Sequence, residues 1–291
     1  MDDTTPPAPA RQGAPSLADR YLDLMKRCLT RELFIAEEVT DTMWWPLEDA
    51  DSFWSLLDEN GWRLVTTGGD RAARQEGRDY PPDAETMVGL ARLDNVQQLV
   101  RTVLDEDIPG DLVETGIWRG GTVIFMRAVL EAYGDPDRQV WAFDSFEGLP
   151  EADPTAYPED ASMLMEDESE AALMKSLLGV SVAQVTANFE RYGLFDERVR
   201  LVEGWFRDTL PSAGVDQIAV LRLDGDLYES TMDALVHLEP KVSPGGFVIV
   251  DDYTSIDACR LACTHYRDRH GIVDPIHEID WTGVWWRKSP R

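Results

Sequence analysis

Basic residues are scarce in this chain. It carries 27 Lys and Arg against 55 Asp and Glu, a formal net charge of −28 over 291 residues. A surface that neutralises phosphates needs clustered Lys and Arg, so nucleic acid is not an expected partner. Adhesion to an anionic membrane surface is disfavoured on the same ground. Solubility accounts for most of such acidity; a cationic cofactor or a divalent metal ion would also suit it. Cysteine is scarcer still. Cys28, Cys259 and Cys263 form an odd, sparse set that makes no disulfide framework. Cys259 and Cys263 have helical spacing, but only His265 and His270 lie near them, so small buried thiols are expected rather than a zinc site. No apolar run reaches the length of a membrane span. Met1 to Leu17 is rich in Pro and Ala and lacks the basic and apolar regions of a signal peptide. Residues 1–16 are therefore expected to be a disordered tail, and the protein to be cytoplasmic.

What is present reads as one large α/β domain with additions. Hydrophobic residues make up 43%, enough for a sizeable core, and there is no internal repeat. Leu22, Met25, Leu29 and Leu33 recur at three- and four-residue spacing and predict a helix from Leu17 to about Val39. The stretch from about Asp41 to Arg78 holds Trp44, Trp45, Trp54 and Trp62 and then turns polar. A second helix is predicted from about Ala84 to Val103. Residues 17–105 thus read as an N-terminal helical extension, packed on the main domain or on a second subunit of a dimer or tetramer. From residue 106 to 291 strands and helices alternate. Strands are predicted at Asp111–Glu114, Val140–Phe143, Val199–Val202, Ile218–Leu223 and Phe247–Val250. Helices are predicted at Thr122–Tyr133, Val182–Arg191, Ser230–Leu238 and Ser255–Arg269. Such alternation gives a Rossmann-like, mostly parallel sheet with helices on both faces, and ligands bind at the carboxyl ends of its strands. The acidic, irregular stretch from Glu151 to about Leu178 interrupts the alternation and reads as a lid.

Two motifs at strand ends suit a nucleoside ligand. Glu114-Thr115-Gly116-Ile117-Trp118-Arg119-Gly120-Gly121 follows a strand and opens a helix. Gly116 permits a tight turn, and Gly120 and Gly121 allow close approach to backbone. Asp144-Ser145-Phe146-Glu147-Gly148 follows the next strand, where an acidic side chain can accept both ribose hydroxyls. A dinucleotide oxidoreductase wants G-x-G-x-x-G with a phosphate on the helix N-terminus. Here the spacing is G-x-x-x-G-G, and Glu114 would repel a pyrophosphate while suiting an ammonium. S-adenosylmethionine has an ammonium and a sulfonium and no phosphate, so it is favoured over NAD(P).

Asp224-Gly225-Asp226 ends one strand and Asp251-Asp252 the next, so three or four carboxylates meet at one rim of the sheet. Like charges this close are costly without a cation. Oxygen ligands without His suggest Mg²⁺ rather than zinc. Asp224 and Asp226 are two apart, so one can hold metal while the other faces a reacting hydroxyl.

With these residues in view, the chain resembles the macrocin O-methyltransferase family, which methylates deoxysugars of macrolide and aminocoumarin antibiotics. The stretches that carry the resemblance include Tyr21–Leu33, Ala84–Gly89 with Arg92–Asn95, Val113–Thr122, Phe143–Pro150, Asn188–Leu194, Glu203–Pro211, Leu223–Ser230, Gly246–Tyr253 and Ile279–Val284. The resemblance implies an S-adenosylmethionine-dependent methyltransferase fold, Mg²⁺, and a small glycoside acceptor. It implies Asp224, Asp251 and Asp252 as metal ligands and Asp226 as general base. It implies a cofactor site lined by Thr86, Met87, Glu114 to Trp118, Asp144 to Gly148, Gly204 and Trp205. The departures are the segment from about Asp41 to Arg78 and the acidic stretch after Pro150, where acceptor choice or subunit contacts would lie. A catechol-type O-methyltransferase, which also uses Mg²⁺, is the alternative within methyl transfer.

Overall fold

Ser16 sets the start of the first helix. Its hydroxyl accepts from the Asp19 N–H while the Asp19 carboxylate accepts from the Ser16 N–H, a capping box for α1 (Leu17–Leu29). The expected run to Val39 does not occur. Arg31 takes a left-handed backbone (φ 57°), and a single 3-10 turn at Glu32–Phe34 leads into β1 (Glu37–Val39). The structure is a computed structural model that describes residues 14–35, 37–39, 51–62, 65–67, 69–79, 81–164 and 167–290. The expected tail up to residue 13 and Trp44 and Trp45 lie outside the described residues, as does the side chain of Trp54; Trp62 is exposed. After α2 (Asp51–Asn60) comes β2 (Val65–Thr67), which pairs antiparallel with β1, and then α3 (Arg71–Glu76).

α4 (Leu90–Asp105) begins six residues later than the apolar spacing predicts. The backbone before it is committed elsewhere. Glu85 N–H donates to the Leu29 carbonyl, and Gly121 N–H donates to the Glu85 carbonyl. Gly89 packs so closely on Gly77 that a Cβ would stand 2.2 Å from the Gly77 nitrogen. The non-helical connection that results carries Thr86 and Met87.

The main sheet then forms from β3 (Asp111–Thr115), β4 (Val140–Asp144), β5 (Val199–Glu203), β6 (Ile218–Leu223), β7 (Val242–Val250), β8 (His277–Glu278) and β9 (Val284–Arg287). Its order is β5-β4-β3-β6-β7-β9-β8, parallel through β7, with β9 antiparallel to β7 and to β8. The connecting helices are α5 (Gly121–Tyr133), α6 (Glu168–Leu178), α7 (Val182–Arg191), α8 (Phe206–Thr209), α9 (Tyr228–Leu238) and α10 (Asp257–His270). α5 is apolar on nearly all sides and buried from Gly121 to Leu130, because it lies between the sheet and α1 with α4. Leu22, Leu29, Leu93 and Val100 share one core with Phe125, Val129 and Leu112, so the N-terminal helices belong to the same packing unit as the sheet. On the other face Leu235, Tyr266, Cys259 and Cys263 pack on Val113 and Leu221, and the two cysteines are free and buried as expected. Among the described residues no helix is long and apolar enough to cross a membrane.

Three further features depart from the reading of the sequence. The acidic stretch holds a 3-10 helix at Pro158–Met163 and α6, whereas only irregular chain was expected. β7 starts at Val242 rather than Phe247. The strands β8 and β9 were not anticipated. The loop between them closes back on the N-terminal extension: Trp281 Nε1 donates to the Glu76 carbonyl at 2.9 Å, and the Arg78 guanidinium stacks on the Trp281 ring.

Strand order reverses between β3 and β6, which opens a crevice at their carboxyl ends. Gly116 sits at that point with φ +78°, and a Cβ there would lie 1.7 Å from the Asp224 carbonyl oxygen. Gly116→Ala must therefore force the two strand ends apart. We expect a loss of ~2 kcal/mol or more in urea unfolding; an unchanged midpoint with an unchanged slope would contradict this close approach.

Candidate active site

One buried charge organises the crevice. β6 reads Ile-Ala-Val-Leu-Arg-Leu, and its arginine, Arg222, is 1% exposed. Register places it beside Glu114 of β3, and β7 ends next to it at Asp251. Arg222 forms ion pairs with Glu114 and Asp251 and with Asp224 at 2.8 Å. Arg92 of α4 reaches the same place from the helical side, pairing with Asp251 and, at 2.7 Å, with Asp280. Two guanidinium groups thus hold four carboxylates. Removing either partner of such a buried pair strands an uncompensated charge. Neither arginine was singled out as a site residue from the sequence; for Arg222 a lone charge inside an otherwise apolar strand was the available signal, and Arg92 on α4 carried none.

Asp224 also converges with two carboxylates outside this network, Asp226 and Asp252. One oxygen each from Asp224, Asp226 and Asp252 lies within 4.8 Å of the others. Burial and mutual repulsion push Asp224 and Asp252 well above the usual carboxylate range, and burial with the Asp224 charge raises Asp226 to about 7. Asp252 Oδ2 is buried with no hydrogen-bond donor. Asp226 has a left-handed backbone (φ 57°), an unusual state for a residue with a side chain and one that surrounding structure must enforce. A hard divalent cation fits this donor set: oxygens only, half-buried, mutually repelling, one of them buried without a hydrogen-bond donor. The resemblance put Asp251 among the ligands. Here both Asp251 oxygens accept from guanidinium groups, and the third oxygen of the converging set belongs to Asp226.

Beside the carboxylates lies a cavity of about 370 Å³. Of the residues expected to hold the cofactor, Thr86, Met87, Glu114, Gly116, Ile117, Trp118, Asp144, Ser145, Gly148 and Trp205 line it. Thr115, Phe146, Glu147 and Gly204 do not. Thr115 is fully buried behind the wall, Phe146 packs into the core, and Glu147 points to solvent. Gly204 N–H donates to the Asp144 carbonyl and ties β5 to β4. The Asp144 carboxylate, expected to accept from ribose hydroxyls, accepts from the N–H groups of Ile117 (2.7 Å), Trp118 (3.3 Å) and Phe146 (2.7 Å). It locks the two glycine-containing turns to each other, with lone pairs left over for a ligand. Glu114 is pushed up to about 8 by burial, and its Oε2 is buried without a donor. An ammonium group fits there, as S-adenosylmethionine would supply. The cavity is also lined by residues not named as site residues from the sequence: Phe206, Arg207, Glu229, Asp233, Ser255 and Ile256. Glu229 and Asp233 are one turn apart on α9, a pattern too common on solvated helices to stand out.

The parallel sheet with its antiparallel final pair, the glycine turn that carries a buried Glu114, and relatives that are O-methyltransferases define an S-adenosylmethionine-dependent O-methyltransferase. More narrowly, the chain belongs to the macrocin O-methyltransferase (TylF) family, which it matches over residues 18–288. It is 51% identical over 271 residues to the 8-demethyl-8-(2,3-dimethoxy-α-L-rhamnosyl)-tetracenomycin-C 4'-O-methyltransferase of Streptomyces olivaceus, covering 93% of each chain. It is 45% identical over 269 residues to the mycinamicin III 3''-O-methyltransferase of Micromonospora griseorubida, covering 92% of this chain and 96% of that one. The solved structure of the O-methyltransferase NovP superposes with a TM-score of 0.79 at 41% identity, covering 94% of this chain and all of that one. The oxidoreductase alternative is set aside.

The raised carboxylate at Asp226 has a consequence for stability. Its folded-state pKa, about 7, lies above its ordinary value of 3.8. Between those values the folded state binds more protons than the unfolded one, so this contribution to stability is present at low pH and is lost as pH rises through about 7. In chelator, with no cofactor, stability from urea unfolding is expected to fall between about pH 5 and pH 8. The fall should be shallower in Asp226→Asn, whose amide does not titrate. Equal slopes in the two proteins would contradict the assignment.

Proposed function

We propose that this protein transfers the methyl group of S-adenosylmethionine to a sugar hydroxyl of a glycosylated natural product, in a Mg²⁺-dependent reaction of antibiotic biosynthesis. The observation that carries this reading is the convergence of three partly buried carboxylates beside a cavity whose wall holds the unpartnered Glu114 oxygen. Support for a sugar acceptor comes from the names of the relatives, a rhamnosyl-tetracenomycin 4'-O-methyltransferase and a mycinamicin III 3''-O-methyltransferase among them.

Asp224 and Asp252 would hold the cation, since Mg²⁺ is commonly bound by one or two carboxylates with substrate oxygens and water completing the set. When bound, it lowers the pKa of a coordinated hydroxyl and fixes the oxygen's position. Asp226 takes the hydroxyl proton as the oxygen forms its bond to the methyl carbon and the carbon–sulfur bond breaks. Glu114 binds the cofactor ammonium, and Asp144 holds the turns that shape the ribose pocket. Arg92 and Arg222 keep Asp251 and Asp224 in place. The stretch 151–178 serves as a lid that excludes water, and the extension 17–105 supplies contacts of a dimer or tetramer in the cytoplasm.

The direct test is incubation with labelled S-adenosylmethionine, Mg²⁺ and a panel of glycosylated natural products, their aglycones and catechols. Methylated glycosides are expected, with turnover abolished by chelator and restored by Mg²⁺. Methylation of catechols alone would overturn the reading. Asp252→Asn is expected to lose Mg²⁺ affinity by calorimetry. Asp226→Asn should keep it while kcat falls by about 10²–10⁴. Asp251→Asn should lose fold stability and keep Mg²⁺ affinity; a loss of affinity equal to that of Asp252→Asn would place Asp251 in the coordination sphere instead.

A further inference from the structure

Among the described residues of the acidic stretch after Pro150, one carboxylate is out of reach of solvent. Asp160 is fully buried, while Ala161 and Ser162 beside it are exposed. Its Oδ1 accepts from the Tyr228 N–H at 2.6 Å and its Oδ2 from the Glu229 N–H at 3.2 Å. These are the first two N–H groups of α9. A helix start normally finds an acceptor in its own N-cap side chain. Here the N-cap is Leu227, whose apolar side chain is buried and offers none. The cap comes instead from a residue 68 positions earlier in the chain. The 3-10 turn that carries it is seated further by the Tyr157 ring against the Tyr228 ring, and Tyr228 in turn bonds to His265 of α10.

What this cap fixes is the turn just before it. Asp226 stands two residues ahead of Tyr228 in its left-handed conformation, and the Leu227 N–H closes tightly on the Gly225 carbonyl at 2.6 Å. One end of the turn is anchored by Asp224, which presses on Gly116 and pairs with Arg222. The other end is anchored only as firmly as the first turn of α9. An unfavourable backbone state relaxes when either anchor is released.

We propose that Asp160 is a positioning residue for methyl transfer: it caps α9 from across the fold and thereby holds the Asp226 carboxylate in the converging set. The turn around Asp160 is then a fixed point within the acidic stretch. This rests on the reading of Asp226 as a reacting-site carboxylate.

The test is a double-mutant cycle on the whole protein, with Asp160→Ala, Asp160→Asn, Asp226→Asn and Asp160→Ala/Asp226→Asn. Asp160→Ala is expected to lower kcat by about 10- to 100-fold, the scale of a small misplacement of a reacting group. Asp160→Asn should lose less, since its amide oxygen keeps one of the two bonds. S-adenosylhomocysteine affinity should stay within about twofold of the parent, because Asp160 touches nothing on the cofactor side. The double variant should be no slower than Asp226→Asn alone, since a residue acting only through Asp226 has nothing left to position. Unchanged kcat in Asp160→Ala would overturn the proposal. So would a parallel fall in S-adenosylhomocysteine affinity, which marks general damage, or multiplied losses in the double variant. If Asp160→Ala fails to fold, the same cycle run with Asp160→Asn decides. Full activity in Asp226→Asn by itself would overturn the reading of Asp226 and this proposal with it, a result distinct from a normal Asp160 variant beside an inactive Asp226 variant.

Discussion

The structure depends on a charge placed where strands normally carry none. Arg222 lies in the central strand of the sheet, out of reach of water, and touches the ends of the strands on either side through Glu114 and Asp251. A guanidinium presents its donors in a fixed planar fork, so it sets the directions from which carboxylates can approach. Arg92 repeats the device from α4 and reaches Asp280 in the last loop. The cofactor wall, the acidic cluster and the C-terminal loop are therefore positioned against one another by electrostatics as well as by backbone pairing.

That network leaves a deliberate imbalance. Six carboxylates (Glu114, Asp224, Asp226, Asp251, Asp252 and Asp280) face two guanidinium groups. Unliganded, the region holds its excess through raised carboxylate pKa values. A cationic cofactor and a divalent ion are the natural complement, since each relieves repulsion that the fold alone does not. The acidity at this rim differs from that of the surface, because Glu114 and Asp251 within it are buried.

The sheet was legible because its strands are apolar runs that end in glycine or aspartate, and backbone pairing imposes that pattern locally. β3, β4, β5 and β6 fall within a residue of where the sequence places them. The acidic residues at their ends were legible for the same reason. The late start of α4 was not, since the bonds that Glu85 makes to Leu29 and Gly121 are tertiary and leave no local trace. Nor was the use of Asp251. Two adjacent aspartates look equivalent in sequence, yet Asp251 is taken up by the arginines while Asp252 converges with Asp224 and Asp226. α6 was hidden by the acidic, mixed composition of its surroundings, and β8 and β9 by their shortness. Asp160 could not be told from its acidic neighbours, because burial was the only thing that distinguished it.

The hydrogen bond from Trp281 to Glu76 joins residues 205 positions apart, and Arg92 to Asp280 spans nearly as much chain. Contacts of such sequence separation carry a loop-closure cost that is met only after more local structure exists. Thr282, Trp281 and Gly77 all border the cavity. A chain that has acquired its sheet but not this closing contact would lack the wall of the pocket that Trp281, Thr282 and Gly77 supply.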